Sequence, residues 1–102
     1  MSAARRVILI SADKAFARET HSAFSASAEV ELVAAETPVT DVRGEMLGGD
    51  VAAIIVDMDA AKLQEIEALQ RLTRRLDGRA PVIVVTREYN AAAVRILVQL
   101  KV

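Results

Sequence analysis

The chain has 102 residues, which is about one domain. Hydrophobic residues make up 53% of it and charged residues 26%, enough for a packed core and too apolar for a disordered tail. Thirteen Lys and Arg against fourteen Asp and Glu leave a net charge of -1, so no global attraction to nucleic acid or anionic lipid is expected. The absence of Cys excludes disulfides, thiolate metal sites and a Cys nucleophile, and a single His excludes a multi-His metal site. At 3% aromatic content there is no stacking platform for single-stranded nucleic acid. The apolar runs Val7–Ile10, Val51–Val56 and Val82–Val85 are far short of the ~20 residues of a membrane helix. Met1–Arg6 is followed by too short an apolar stretch for a secretory signal. A cytoplasmic domain without membrane insertion is expected.

Val7–Ile10 reads as the first strand, apolar throughout and therefore suited to burial on both faces. A helix is expected from Lys14 to Ala26, with Asp13 at the N-cap position and Phe16, Thr20, Ala23, Phe24 and Ser27 on one face. Val30–Ala35 alternates in the manner of a half-buried edge strand. A second helix is expected to begin at Thr37-Pro38, to carry Val39, Val42 and Met46 inward, and to end at Gly48-Gly49. Ala52–Val56 is the third strand. The third helix, from Lys62 to about Leu76, has the clearest pattern. Leu63, Ile66, Leu69, Leu72 and Leu76 form its apolar stripe, early Glu65 and Glu67 with late Arg71, Arg74 and Arg75 suit its dipole, and Gly78 stops it. Pro81–Val85 is the fourth strand, and a fourth helix is expected from near Asn90 with Val94, Leu97 and Val98. The alternation β-α-β-α-β-α-β-α predicts an α/β domain, a parallel sheet with helices on both faces.

Ligand sites of open parallel sheets lie beyond the carboxyl ends of the strands. The residues there are Ser11, Ala12 and Asp13 after the first strand, Asp57, Met58 and Asp59 after the third, and Thr86 after the fourth. Asp13, Asp57 and Asp59 at one end of one sheet would suit a hard divalent ion such as Mg²⁺, and the Thr86 hydroxyl could bond an oxyanion. Asp57, Asp59 and Asp13 could equally serve as caps, and Thr86 could be a plain strand-end residue. His21 and the three arginines of the third helix read as solvated. Gly44, Gly48 and Gly49 form no phosphate loop, which disfavours nucleotide binding.

Ile8–Lys14, Ala53–Asp57 and Val82–Thr86, in this order and at these separations, resemble the receiver domains of two-component response regulators, the CheY-like (flavodoxin-like) fold. The resemblance covers essentially the whole chain and implies strand order 2-1-3-4. It implies Asp57 as phosphoacceptor, Asp13 and Asp57 as Mg²⁺ ligands, Asp59 as an acidic neighbour, and Thr86 as the switch hydroxyl. The partner it implies is a histidine kinase or phosphotransfer protein, and phosphoryl acceptance rather than turnover, so no enzyme is expected. Ile55–Asp59, the Leu-rich third helix and Ala93–Leu97 are similar to the atypical N-terminal receiver of CpaE/TadZ-type pilus-assembly proteins, where an ATPase domain comes next.

The departures are specific. Ala12 stands where the family's first acidic residue is expected, which predicts weak Mg²⁺ binding. Met58–Ala61 replaces the usual proline-bearing turn, and the family's fifth strand, its lysine and its fifth helix are not reached. The chain therefore reads as a single receiver-like domain over residues 1–102, incomplete at its C-terminal side. A bare fourth strand predicts a homodimer or an exchange of C-terminal segments. The alternative function is a pseudo-receiver that takes no phosphate and serves dimerisation or localisation of an attached pilus-assembly ATPase.

Overall fold

The computed structural model describes residues 5–25, 29–42, 51–59 and 61–86, together with Arg95 and Gln99. Four strands form one parallel sheet: β1 (Arg5–Ile10), β2 (Val30–Ala35), β3 (Val51–Asp57) and β4 (Val82–Val85). Their order is β2-β1-β3-β4, the order that the receiver resemblance implies. Helix α1 (Lys14–Ser25) joins β1 to β2, and α2 (Leu63–Leu76) joins β3 to β4.

Alternation along the strands builds two apolar layers. Val7 and Leu9 of β1 pack with Leu32 of β2 and Ala17 of α1, with Phe16, Phe24 and Ile55 at the margin. Ile8 and Ile10 face the other way and join Ile54 and Val56 of β3, Val82 of β4 and the α2 residues Ile66, Leu69, Leu72 and Leu76. Helices therefore cover both faces, and β1 and β3 are the interior strands. β2 is an edge, with only Leu32 buried, which matches its polar alternation. β4 departs from the expectation of burial on both faces. Its Val82 is buried under α2, but Ile83, pointing to the opposite face, is 50% exposed.

The helices depart from the sequence pattern in two places, the stripe of α1 and the start of α2. In α1 the buried residue is Ala17, while Ala23 is exposed and Phe16, Thr20 and Phe24 are half-buried. A helix on the β1–β2 margin needs only a narrow stripe, and a small residue permits close approach. In α2, Leu63 is 68% exposed because it opens the helix beside the loop, before the first turn reaches the sheet; Ala68 takes its place in the core. Of the span expected for the second helix, the described residues hold a 3-10 turn, Val39–Asp41, and Val42 has extended angles (φ -67°, ψ 131°); the rest of that span, 43–49, lies outside the described residues. Val39, Thr40 and Val42 are β-branched, Asp41 is a poor helix former, and no side chain caps the turn. Met46, Gly48 and Gly49 lie outside the described residues. So does most of the expected fourth helix, within which Arg95 and Gln99 are helical.

The end of α2 is firmly made. Asp77 (φ 46°) and Gly78 (φ 77°) are both left-handed, and the Asp77 N–H donates to the Thr73 carbonyl at 3.1 Å. The Arg79 side chain donates to the carbonyls of Leu76 (3.0 Å) and Arg75 (2.7 Å), placing a cation on the helix's negative end. Among the described residues no helix is long and apolar enough to cross a membrane.

Candidate functional site

In this strand order the chain passes to one side of β1 for β2 and to the other for β3. The crevice between the carboxyl ends of β1 and β3 is therefore the topological switch point, where α/β sheets place ligands. A cavity of about 400 Å³ opens there, lined by Ala12, Asp13, Pro38, Asp57, Met58, Asp59, Lys62 and Glu65. Its ionisable lining is four carboxylates and one ammonium group, which disfavours anions that arrive without their own counter-charge.

Asp57 closes β3, with its carboxylate half-buried at the cavity. The Ser11 hydroxyl, on the first residue after β1, donates to Asp57 Oδ2 at 2.7 Å. Ser11 is 1% exposed and is held to β2 by its own N–H, which donates to the Ala35 carbonyl at 3.3 Å. The sequence pattern assigns Ser11 no role, because its partner lies 46 positions away. The available signal is a small hydroxyl residue directly after four core residues.

Asp13 also lines the cavity, but its Oδ1 is committed to α1. It accepts the N–H groups of Ala15 (3.0 Å) and Phe16 (3.1 Å), the N-cap role that its position suggests. Asp59 shapes the β3–α2 loop. Its Oδ1 accepts the Ala61 N–H at 2.9 Å, its carbonyl accepts the Lys62 N–H, and its own N–H donates to Glu65 Oε1 at 3.3 Å. Lys62, Glu65 and Pro38 line the cavity, although the sequence pattern does not mark them as site residues. Thr86 comes directly after β4. Because Asp57 and Val85 are register partners, Thr86 sits one residue beyond the site's level on the neighbouring strand and is half-buried. His21 and the arginines Arg71, Arg74 and Arg75 are exposed, as expected of solvated residues.

Asp13 and Asp57, the Mg²⁺ ligands that the resemblance implies, both line the cavity, and each already has one oxygen engaged by the protein. Among the described residues no three His, Cys, Asp or Glu side chains gather closely enough to hold a metal ion. Asp13 spends an oxygen on the helix, and one oxygen of Asp57 carries the Ser11 hydroxyl. No buried side-chain nitrogen or oxygen among the described residues is left without a partner.

No protein family and no curated protein matches the chain. Solved structures do. A signal receiver domain of two-component signal transduction (histidine kinase) from Clostridium thermocellum superposes with a TM-score of 0.73 at 21% identity, covering 96% of this chain and 80% of that one. A pilus assembly protein (CpaE) from Burkholderia thailandensis E264 superposes with a TM-score of 0.72 at 13% identity, again covering 96% and 80%. The chain has the receiver fold. In that fold Asp57 ends the third strand, beside the switch point, and the similarity extends over nearly all of the chain rather than one βαβ unit.

Proposed function

We propose that this receiver-fold chain is a signalling module in which Asp57 accepts a phosphoryl group from a partner histidine kinase or phosphotransfer protein. The observation that carries the reading is the placement of Asp57. Its carboxylate faces the cavity at the sheet's switch point, with Oδ2 anchored by Ser11 and Oδ1 without a hydrogen bond among the described residues. An anchored carboxylate presents its second oxygen in a fixed direction, which lowers the orientational cost of attack. Oδ1 attacks the phosphorus of a phosphohistidine, the P–N bond breaks, the proton-bearing imidazole leaves, and an acyl phosphate forms on Asp57. The Lys62 ammonium, in the same lining, offsets the charge that the phosphoryl group brings. Thr86, on the adjacent strand end, is the hydroxyl that would bond the new phosphoryl oxygens and pass the change to β4 and the segment beyond it. This is acceptance of a group, with no turnover of a small-molecule substrate.

Incubation with acetyl phosphate and then peptide mass spectrometry tests the reading. A single adduct on Asp57, lost in Asp57→Asn, is expected. An adduct on another aspartate that survives Asp57→Asn would overturn it.

A second reading is favoured by the Ser11–Asp57 bond and the lack of a three-carboxylate cluster among the described residues. It is a pseudo-receiver that takes no phosphate and works through its surface, for self-association along β4 or for localising an attached pilus-assembly ATPase. Complete absence of an adduct, with the chain folded, would favour it.

A further inference from the structure

We propose that the Ser11 hydroxyl takes the place of a divalent cation at Asp57 Oδ2, so that the chain itself holds this carboxylate and the cavity binds Mg²⁺ poorly. The inference concerns the same Asp57 carboxylate as the proposed function, and its cation measurements stand apart from the question of phosphoryl acceptance.

The hydrogen bonding at Ser11 is fully assigned. Its Oγ lies 2.7 Å from Asp57 Oδ2 and 3.4 Å from the Asp13 carbonyl, and a hydroxyl has one proton to give. The shorter contact, to an anionic oxygen, has the length of a charge-assisted O–H···O⁻ bond and takes that proton. The Ser11 oxygen in turn accepts the Asp13 N–H at 3.1 Å. A continuous chain results: the N–H groups of Ala15 and Phe16 donate to Asp13 Oδ1, the Asp13 N–H donates to Ser11, and Ser11 donates to Asp57. Ser11 thus ties the residue that caps α1 to the candidate acceptor.

This arrangement opposes a cation at Asp57 Oδ2 on two counts. Mg²⁺ binds oxygen at roughly 2.0–2.1 Å in near-octahedral geometry, and at Oδ2 it would meet the proton that Ser11 directs there. The neighbouring carboxylate that could share the ion, Asp13, already holds two backbone N–H groups on one oxygen. Ser11 is also too well packed to swing aside: it is 1% exposed, and its backbone is tied to β2 through Ala35. Ser11 is therefore a positioning residue for Asp57.

The same geometry names the substitution that reverses the effect. A carboxylate at position 11 would set two anionic side chains at hydrogen-bond range, and their repulsion is relieved by a bound cation. Ser11→Asp should therefore create a divalent site that the wild-type chain lacks.

The test is a Mn²⁺ titration read by amide NMR on the full chain. In wild type, the Asp57 and Met58 signals should broaden no more than those of exposed carboxylate-bearing loops. In Ser11→Asp, they should broaden selectively and saturably, with apparent affinity roughly tenfold or more above wild type. Selective, saturable broadening of Asp57 in wild type, with affinity equal to that of Ser11→Asp, would overturn the proposal. Should Ser11→Asp fail to fold, the Asp57 ¹³Cγ shift is read in wild type and Ser11→Ala. A Mg²⁺-dependent shift confined to Ser11→Ala supports the proposal, and the same shift in wild type overturns it. These outcomes are separable from the acceptor reading. Failure of acetyl phosphate to label Asp57 would sink that reading and leave the titrations unchanged. Cation binding by wild type would sink the present proposal and leave a labelled Asp57 labelled.

Discussion

Asp57 and Val85 are register partners on neighbouring parallel strands, and the Met58 N–H donates to the Val85 carbonyl at 3.1 Å. The bond ties the residue after Asp57 to the residue before Thr86. A phosphoryl group on Asp57 would therefore lie about one strand spacing from the Thr86 backbone, which makes the Thr86 hydroxyl the group to test. Thr86→Ala should leave acetyl phosphate labelling of Asp57 in place but shrink the amide shift changes it causes beyond β3. Thr86→Ser should retain them. Equal shift changes in Thr86→Ala and wild type would remove Thr86 from the switch.

The role of Asp13 as a helix cap is separable from any role toward ligands. Asp13→Ala removes the acceptor for two N–H groups of the first α1 turn and should cost about 1 kcal/mol in urea unfolding. Asp13→Asn keeps a capping oxygen and should cost less than about 0.5 kcal/mol. If the two variants were equally destabilised, and the loss appeared only with Mg²⁺ present, Asp13 would act through a metal instead.

The α2 pattern predicts opposite outcomes for two leucines that look alike in sequence. Leu69 is wholly buried between α2 and the sheet, so Leu69→Ala should cost about 2–5 kcal/mol. Leu63 is 68% exposed, and Leu63→Ala should stay within about 0.5 kcal/mol. Equal costs, measured by denaturant unfolding, would place Leu63 in the core after all. At the other end of α2, Gly78→Ala should cost about 1 kcal/mol, because a Cβ there meets no atom within 4 Å and only the left-handed backbone opposes it.

How far a feature is legible in the sequence depends on the range of the interaction behind it. The edge position of β2 is legible because burial on one face writes itself into alternating residues, whereas the order 2-1-3-4 is legible only through the family resemblance. The Asp13 cap is legible because its partners lie two and three residues on. At the start expected for the second helix, Thr37-Pro38 leads into a 3-10 turn over Val39–Asp41, where β-branched residues weaken the α-helical preference. Leu63 fits the α2 period but not the point where the helix meets the sheet. The Ser11–Asp57 bond is beyond local pattern altogether: it depends on β1 and β3 being neighbours in a register that only the assembled sheet defines.

The outer side of β4 carries the last prediction. Among the described strands β4 has a neighbour on one side only, β3. Val82–Val85 has no charge, and Ile83 is 50% exposed, so among the described residues the strand combines an outer row of backbone groups without a strand partner with apolar surface. Natural edges are normally blunted by charge or proline, as β2 is with Glu31; β4 has neither within its span. Pairing with a second copy would satisfy both the backbone groups and Ile83. Sedimentation equilibrium should therefore show concentration-dependent association, and Ile83→Lys, which adds a blocking charge without touching the α2 layer, should weaken it by at least roughly tenfold. An exchange of C-terminal segments would show itself by slow interconversion of monomer and dimer, over minutes or longer, while simple edge pairing equilibrates fast. A monomer at every concentration, with slow amide exchange throughout Val82–Val85, would mean that the edge is covered within the chain.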